Sequence, residues 1–489
     1  MNENKKKQYI AVTVGPIFDT MSLVSTPAAL WASSYMFSLI SKTLCEMLCK
    51  NGVKEENIIT PYYSESDKAL LGKNDGVGLF HDHIIFAAED FDIKSFNAVK
   101  EAALGKIADI FEIDAGYLKN YVQIAAVRYE AENPIFGCEN ILNSRELEKP
   151  FVAQDSEQPL LKMLFAGEDS ANELIKKIAV KLGINEKWQL TLGKKIKDLN
   201  MIVNPNPKAK PEMKKHLYYA VVRSDGDNMS KIISSLKGDG EFRSFSETCL
   251  SYCSAVSDEV AKFGGVTVYS GGDDLLAILP CENRDGKTPF EFIKSANKIF
   301  KDKFDRYNKP TSLSYGIVMC YYKFPLYEAL EESAELLFGV AKDEKRKNCS
   351  VIRVQKHAGQ SEGLVIPNSA IDEFLALKDV IVKDGAFDAN GEEDRIILSA
   401  RHKLSLFKHL LNSADNDRDA IITLFKNMFD SGEQKTAFLH EKLPDFYFRL
   451  KTGLDIQAMT DSGVNGDRVE AIAYILRILK FFIEKAGDR

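Results

Sequence analysis

The sequence predicts an α+β protein built from two ferredoxin-like α/β domains, a helical segment between them and a helical bundle towards the C-terminal end. Three observations carry this expectation. Strand-like runs open at residues 9–14 and 217–223, and each leads into apolar residues at helical spacing. Between them, Asn204-Pro205-Asn206-Pro207-Lys208-Ala209-Lys210-Pro211 breaks any regular element, because proline removes a backbone donor and fixes φ. From Ser369 to Lys485 the pattern is almost wholly helical.

The chain has 489 residues, 45% hydrophobic and 28% charged, enough for several packed cores and three or four domains. A net charge of -7 argues against a general nucleic-acid coat, yet leaves room for a local basic groove or a basic partner. No apolar run reaches the roughly 18 residues of a membrane span, and Met1 to Lys7 is polar with no signal-peptide core behind it. A cytoplasmic protein with no membrane association is expected. The 8 cysteines include no C-x-x-C pair; Cys45/Cys49 and Cys249/Cys253 sit four apart in helix-like stretches and read as reduced, buried thiols.

The first domain is placed at residues 1–116. It holds a strand at 9–14 ending at Gly15-Pro16, a helix at 30–50, strand-like segments at 57–63 and 78–88, and a helix at 93–111. Within it, residues 76–86 read as a hairpin with His81-Asp82-His83 at its tip. Residues 117–210 form the helical segment, clearest at 160–165 and 171–182, with no catalytic pattern. The second α/β domain covers 211–362: a strand at 217–223, a helix at 246–262, a hairpin at 266–279, a helix at 289–304, a strand at 312–321, a helix at 326–342 and a strand at 350–354. This order is that of a ferredoxin-like palm, the fold of polymerases and cyclases. Residues 363–489 form the bundle, strongest at 396–411, 419–429 and 469–484.

The chemistry concentrates in the second domain's hairpin, where two apolar runs flank Ser270-Gly271-Gly272-Asp273-Asp274. The glycines permit a tight turn and a close approach of substrate. Two carboxylates on one turn repel each other, and a divalent cation relieves that repulsion. In a ferredoxin-like sheet the strand ending at Asp225 neighbours the hairpin, so Asp225, Asp273 and Asp274 converge as ligands for two Mg²⁺ or Mn²⁺ ions holding a triphosphate. Either turn alone reads equally well as an ordinary turn; both in register within one palm favour function. Asp227 and Asn228 are expected to cap the next helix, with the amides after Gly226 facing the phosphates. Lys342 reaches the phosphates or is an ordinary solvated lysine. His81-Asp82-His83 invites a metal-dependent phosphohydrolase reading, but only 7 histidines exist to supply such a site, and the bland reading of a degenerate tip is preferred.

These residues resemble the large polymerase-cyclase subunit of type III CRISPR effector complexes, particularly the type III-B form. Asp225-Gly226-Asp227-Asn228-Met229 with Lys231 is similar to the first palm motif, and Ser270-Gly271-Gly272-Asp273-Asp274-Leu275-Leu276-Ala277 to the signature hairpin. Residues 321–326 with Ala341-Lys342, and Val14-Gly15-Pro16-Ile17 with residues 30–35, extend the likeness over about 9–360. The resemblance implies a first, inactive palm and a second, catalytic one. It implies an enzyme that converts ATP into a signalling nucleotide when its complex holds CRISPR RNA paired with target RNA. The product would be a cyclic oligoadenylate, or AMP joined to S-adenosylmethionine as co-substrate. Other subunits of the complex are the implied partners. Three departures stand out. No HD nuclease domain is seen, so DNA cleavage is not expected; the zinc-binding cysteine cluster between the palms is missing; and Ser230 stands where glycine is common. Two other readings remain open, a non-catalytic scaffold with a structural metal and a GGDEF-type cyclase acting on GTP.

Overall fold

The computed structural model describes residues 6–22, 24, 26–67, 76–88, 91–146, 177–183, 198–203, 213–343, 346–355, 361–383, 392–414, 417–429, 442–448, 457–460, 463–464 and 468–484. Two sheets organise them. In the first, β1 (Lys7–Gly15), β2 (Ile58–Thr60), β3 (Ile84–Ala87) and β4 (Gln123–Ala131) lie in the order β2-β3-β1-β4, all neighbours antiparallel. Helix α1 (Pro27–Lys50) joins β1 to β2, and α2 (Phe96–Phe111) lies between β3 and β4. α1 starts where Thr26 Oγ1 accepts from Ala29 N and Pro27 takes the first turn, whose amide would be unpaired in any case. The strand order and crossovers are those of a ferredoxin-like unit.

Two expectations about this unit are corrected. A domain ending at residue 116 would lose β4, which pairs with β1 along its whole length from Lys7↔Ala131 to Gly15↔Gln123. Its alanines at 125, 126 and 131 weaken the β signal, so its existence is fixed by pairing rather than by propensity. Helix α3 (Pro134–Glu146) then packs on β1 and β4. Residues 76–86 do not form a hairpin. Only 84–87 is strand, and Gly78 O instead accepts from Ser270 N of the other palm. The helix expected at 160–165 lies outside the described residues, as does the first half of 171–182, of which 177–182 is helical.

The second sheet runs β12-β11-β10-β9-β8-β5-β7-β6. Its palm comprises β5 (Tyr218–Asp227), β6 (Val266–Gly271), β7 (Asp274–Pro280) and β8 (Ser312–Tyr321), with α4 (Asp239–Phe263) before the hairpin and α5 (Pro289–Phe304) after it. The order β8-β5-β7-β6 repeats the first unit's topology. After α6 (Leu326–Ala334) and a π-helical continuation at Glu335–Ala341, β9 (Cys349–Gln355) adds parallel to β8, and β10 (Ser361–Pro367) adds antiparallel to β9. The boundary drawn at 362 therefore falls inside a strand. Helices α7 (Ile371–Lys383), α8 (Glu392–Ser413), α9 (Arg418–Phe429) and α10 (Arg468–Ile483) form the C-terminal layer. This region is not purely helical, because β11 (Gln457–Thr460) and β12 (Gly463–Val464) extend the sheet.

Alternation along the central strands divides the core. Tyr219, Val221, Leu276, Ile278 and Val318 face the first palm and share one apolar cluster with Trp31, Met36 and Phe37 of α1. Tyr218, Ala220, Val222, Leu275, Ala277 and Leu279 face the other way, onto α4, α5 and α10. All described cysteines are free thiols, and only Cys49 is more than marginally exposed.

Candidate active site at the second palm hairpin

β6 and β7 are joined by a two-residue turn, Gly272-Asp273, closed by the Gly271↔Asp274 pair. Gly272 has φ +69, a conformation costly for other residues, and no heavy atom lies within 4 Å of where a Cβ would stand. β7 pairs with β5 up to Ser224↔Leu275, so Asp225 emerges beside the hairpin tip. Gly226 sets the distance: a Cβ there would meet Asp273 Oδ2 at 2.5 Å. Its absence lets the Asp273 carboxyl lie against the end of β5.

Asp225 and Asp273 meet through their carboxyls, and Asp274 stands close enough to feel both charges, although the three carboxylates do not all approach within 4.8 Å of one another. Burial, reinforced by the Asp225 charge, pushes the Asp273 carboxyl up to about 7. Asp274 is raised well above the usual carboxylate range, first by burial and then by Asp273 and Asp225. Such a cluster is a hard-oxygen donor set whose carboxyls repel one another, and its residues fit Mg²⁺ or Mn²⁺.

Lys342 follows the π-helical turn, its N–H closing onto Leu337 O. It is not a solvated lysine. Nζ lies 2.8 Å from Asp225 Oδ2 and donates to Asp227 Oδ1 at 3.0 Å and to the carbonyls of Asp225 and Gly226. Burial alone would lower this ammonium; Asp225 and Asp227 outweigh it and raise it. Asp227 is no helix cap either. It is buried and accepts from Ser312 Oγ, Ser314 Oγ, Lys342 Nζ and Asn348 N. Asn228 takes the cap position with φ +59 and no side-chain cap, its Nδ2 bonding Pro310 O. The helix behind it, Met229–Ile233, is a little over one turn, with Ser230 exposed. Ser270 is fully buried and reaches Cys253 O, so it braces the hairpin.

Asp274 also lines a cavity of about 1150 Å³ between the palms. Arg223 and Tyr269 share its second-palm wall, and Asp82, Glu146 and Lys100 its first-palm wall. Sequence reasoning missed Arg223. Two positions before Asp225 on a strand, it must share that residue's face, which was the available signal. Burial lowers its guanidinium against the pull of Asp274, and its Nε finds no hydrogen-bond partner among the described residues.

Residues 218–351 match the family described as Cas10/Cmr2, second palm domain. The curated CRISPR system Cmr subunit Cmr2 of Pyrococcus furiosus is 32% identical over 169 residues, covering 29% of this chain and 19% of that protein. The match thus spans less than a fifth of that relative. Among solved structures, a chain of the type III-B Cmr-beta complex in its apo state aligns with a TM-score of 0.58 at 12% identity, over 97% of this chain and 81% of that one. The Cmr-beta complex bound to cognate target RNA gives 0.54 at 12%, over 98% and 83%. The Csm1-Csm4 cassette in complex with cA4 gives 0.52 at 15%, over 99% and 70%. At these identities the structures speak for the fold, and the resemblance drawn from Asp225–Met229 and Ser270–Ala277 stands on the matched palm. Among the described residues no helix is long and apolar enough to cross a membrane.

Proposed function

We propose that this chain is the nucleotidyltransferase subunit of a type III CRISPR complex, acting in the cytoplasm with ATP as substrate. The observation that carries this is the convergence of Asp225, Asp273 and Asp274 at the tip of a palm hairpin, with two of the three carboxyls raised by burial and mutual repulsion. A structural neighbour holding cA4 supports a cyclic oligoadenylate as product. Mg²⁺ or Mn²⁺ held by these carboxylates supplies charge neutralisation of the triphosphate and activation of the attacking hydroxyl. The chain's own residues prepare the site. Lys342 fixes Asp225 from behind, and Gly226 makes room for Asp273. Gly272 leaves open space beside the turn for the nucleotide. Arg223 offers a buried positive charge beside Asp274 inside the cavity. CRISPR RNA, target RNA and the other subunits are the proposed partners.

The test is product analysis. The assembled complex is incubated with target RNA, labelled ATP and Mn²⁺, with and without S-adenosylmethionine, and with GTP in a parallel reaction. An adenylate product that depends on target RNA is expected. Asp273→Asn combined with Asp274→Asn should abolish it while RNA binding persists. Synthesis from GTP alone, or no product under any condition, would overturn the proposal, the latter in favour of a scaffold.

A further inference from the structure

The first palm carries a second cluster of ligand-type side chains, made by His83, Asp82 and Glu146. One imidazole nitrogen and two carboxylate oxygens lie within 4.8 Å of one another. They come from different elements: residues 82–83 lead into β3, and Glu146 ends α3. His83 Nε2 is 2.6 Å from Glu146 Oε1, and Thr13 of β1 donates to the same oxygen at 2.8 Å. Asp82 and Glu146 both line the inter-palm cavity, across which stands Asp274.

We propose that Asp82, His83 and Glu146 form a metal site separate from the hairpin carboxylates, taking a first-row transition ion such as Mn²⁺, Co²⁺ or Zn²⁺. The His83–Glu146 pair joins two of these residues, and the Asp82 carboxyl lies beside the imidazole, taking backbone hydrogen bonds from its own amide and that of His83. Replacing the short His83–Glu146 contact by a shared ion gives all three a ligand's task. The imidazole sets the selectivity, since nitrogen donors favour these ions over Mg²⁺, whose ligands are oxygens. The Thr13 hydroxyl holds the Glu146 carboxylate in orientation, as outer-shell partners of metal ligands do. Three protein ligands leave coordination positions open, and with Asp82 and Glu146 on the cavity wall those positions face the space that Asp274 shares.

The imidazole gives a signature that the hairpin cannot imitate, because Asp225, Asp273 and Asp274 supply oxygen only. The full chain is loaded with Mn²⁺ and examined by electron spin-echo modulation for ¹⁴N coupling. A coupling is expected, and it should vanish in His83→Gln while persisting in Asp225→Asn/Asp273→Asn/Asp274→Asn. In that triple variant, Mn²⁺ and Zn²⁺ titrations should each retain one equivalent, weakened at least about tenfold by Asp82→Asn. Asp82→Asn keeps the side chain's size, so it reads the site even where His83→Gln disturbs folding. Absence of ¹⁴N coupling in the Mn²⁺-loaded native chain, or an equivalent unaffected by either substitution, would overturn the site. Neither result bears on the hairpin, whose loss shows instead as lost nucleotide synthesis.

Discussion

Asp273 and Asp227 are two aspartates of one site with different surroundings. Asp273 has a buried carboxyl raised from 3.8 to about 7, so the folded chain holds this proton more tightly than the unfolded one. The sign follows: the protonated carboxyl contributes stability that is fully present below about pH 4 and lost as pH rises through about 7. A cation needs both hairpin carboxylates, and Asp274 is raised as well, so Mn²⁺ affinity should increase markedly between pH 6 and 8. Calorimetric titrations at pH 6 and 8 check this, and equal affinities would contradict it. Asp227 instead lies fully buried in a cage of Ser312, Ser314, Asn348 N and Lys342. Removing one partner of a buried ion pair costs about 3–5 kcal/mol, because the other charge stays buried. Lys342→Met should therefore lower the melting temperature markedly even without metal, whereas a lysine serving only phosphate would leave the apo protein's melting unchanged.

At the scale of elements, β5 and the hairpin act together, since their register decides whether the carboxyls meet. Gly226→Ala should preserve the fold yet push Asp273 off its position, weakening Mn²⁺ binding in the same titration; unchanged binding would show that Asp273 approaches by another route. Strong local signals made these elements legible in the sequence. The apolar runs beside Gly271-Gly272 and the helix over 289–304 coincide with the observed β6–β7 hairpin and α5. β4 escaped because Ala125 and Ala126 carry little β preference and its strand status comes from β1, more than a hundred residues earlier. The roles of Asp227 and Lys342 escaped for a related reason. Side chains 115 residues apart meet only once β5, β8 and the π-helical turn are assembled, and no local spacing announces that contact. His81-Asp82-His83 misled in the other direction. Its neighbouring glycines suggest a hairpin, yet His81 Nε2 bonds Thr60 Oγ1 and His83 turns towards α3.

Over the whole molecule the two palms exchange helices: α1 of the first packs against β6, and α4 of the second reaches β2. Arg243 of α4 makes a polar link in that exchange. It donates to Ile58 O at 2.7 Å and Tyr63 O at 2.6 Å, and its guanidinium stands 4.6 Å from the Tyr62 ring centre. Hydrogen bonds from a charged donor contribute about 1.5–3 kcal/mol each, so the pair holds β2 and the segment behind it against the second palm. The inter-palm cavity has one wall from each palm, so its geometry depends on this link although Arg243 lies outside the cavity. Arg243→Ala should lower the melting temperature and reduce nucleotide synthesis. Mn²⁺ binding at pH 8 should stay intact, because Asp225, Asp273 and Asp274 all belong to one palm. Loss of metal binding in step with activity would instead mean that the first palm is needed to form the carboxylate cluster itself. Lost synthesis with retained metal would show that the first palm serves to position what the second palm reacts.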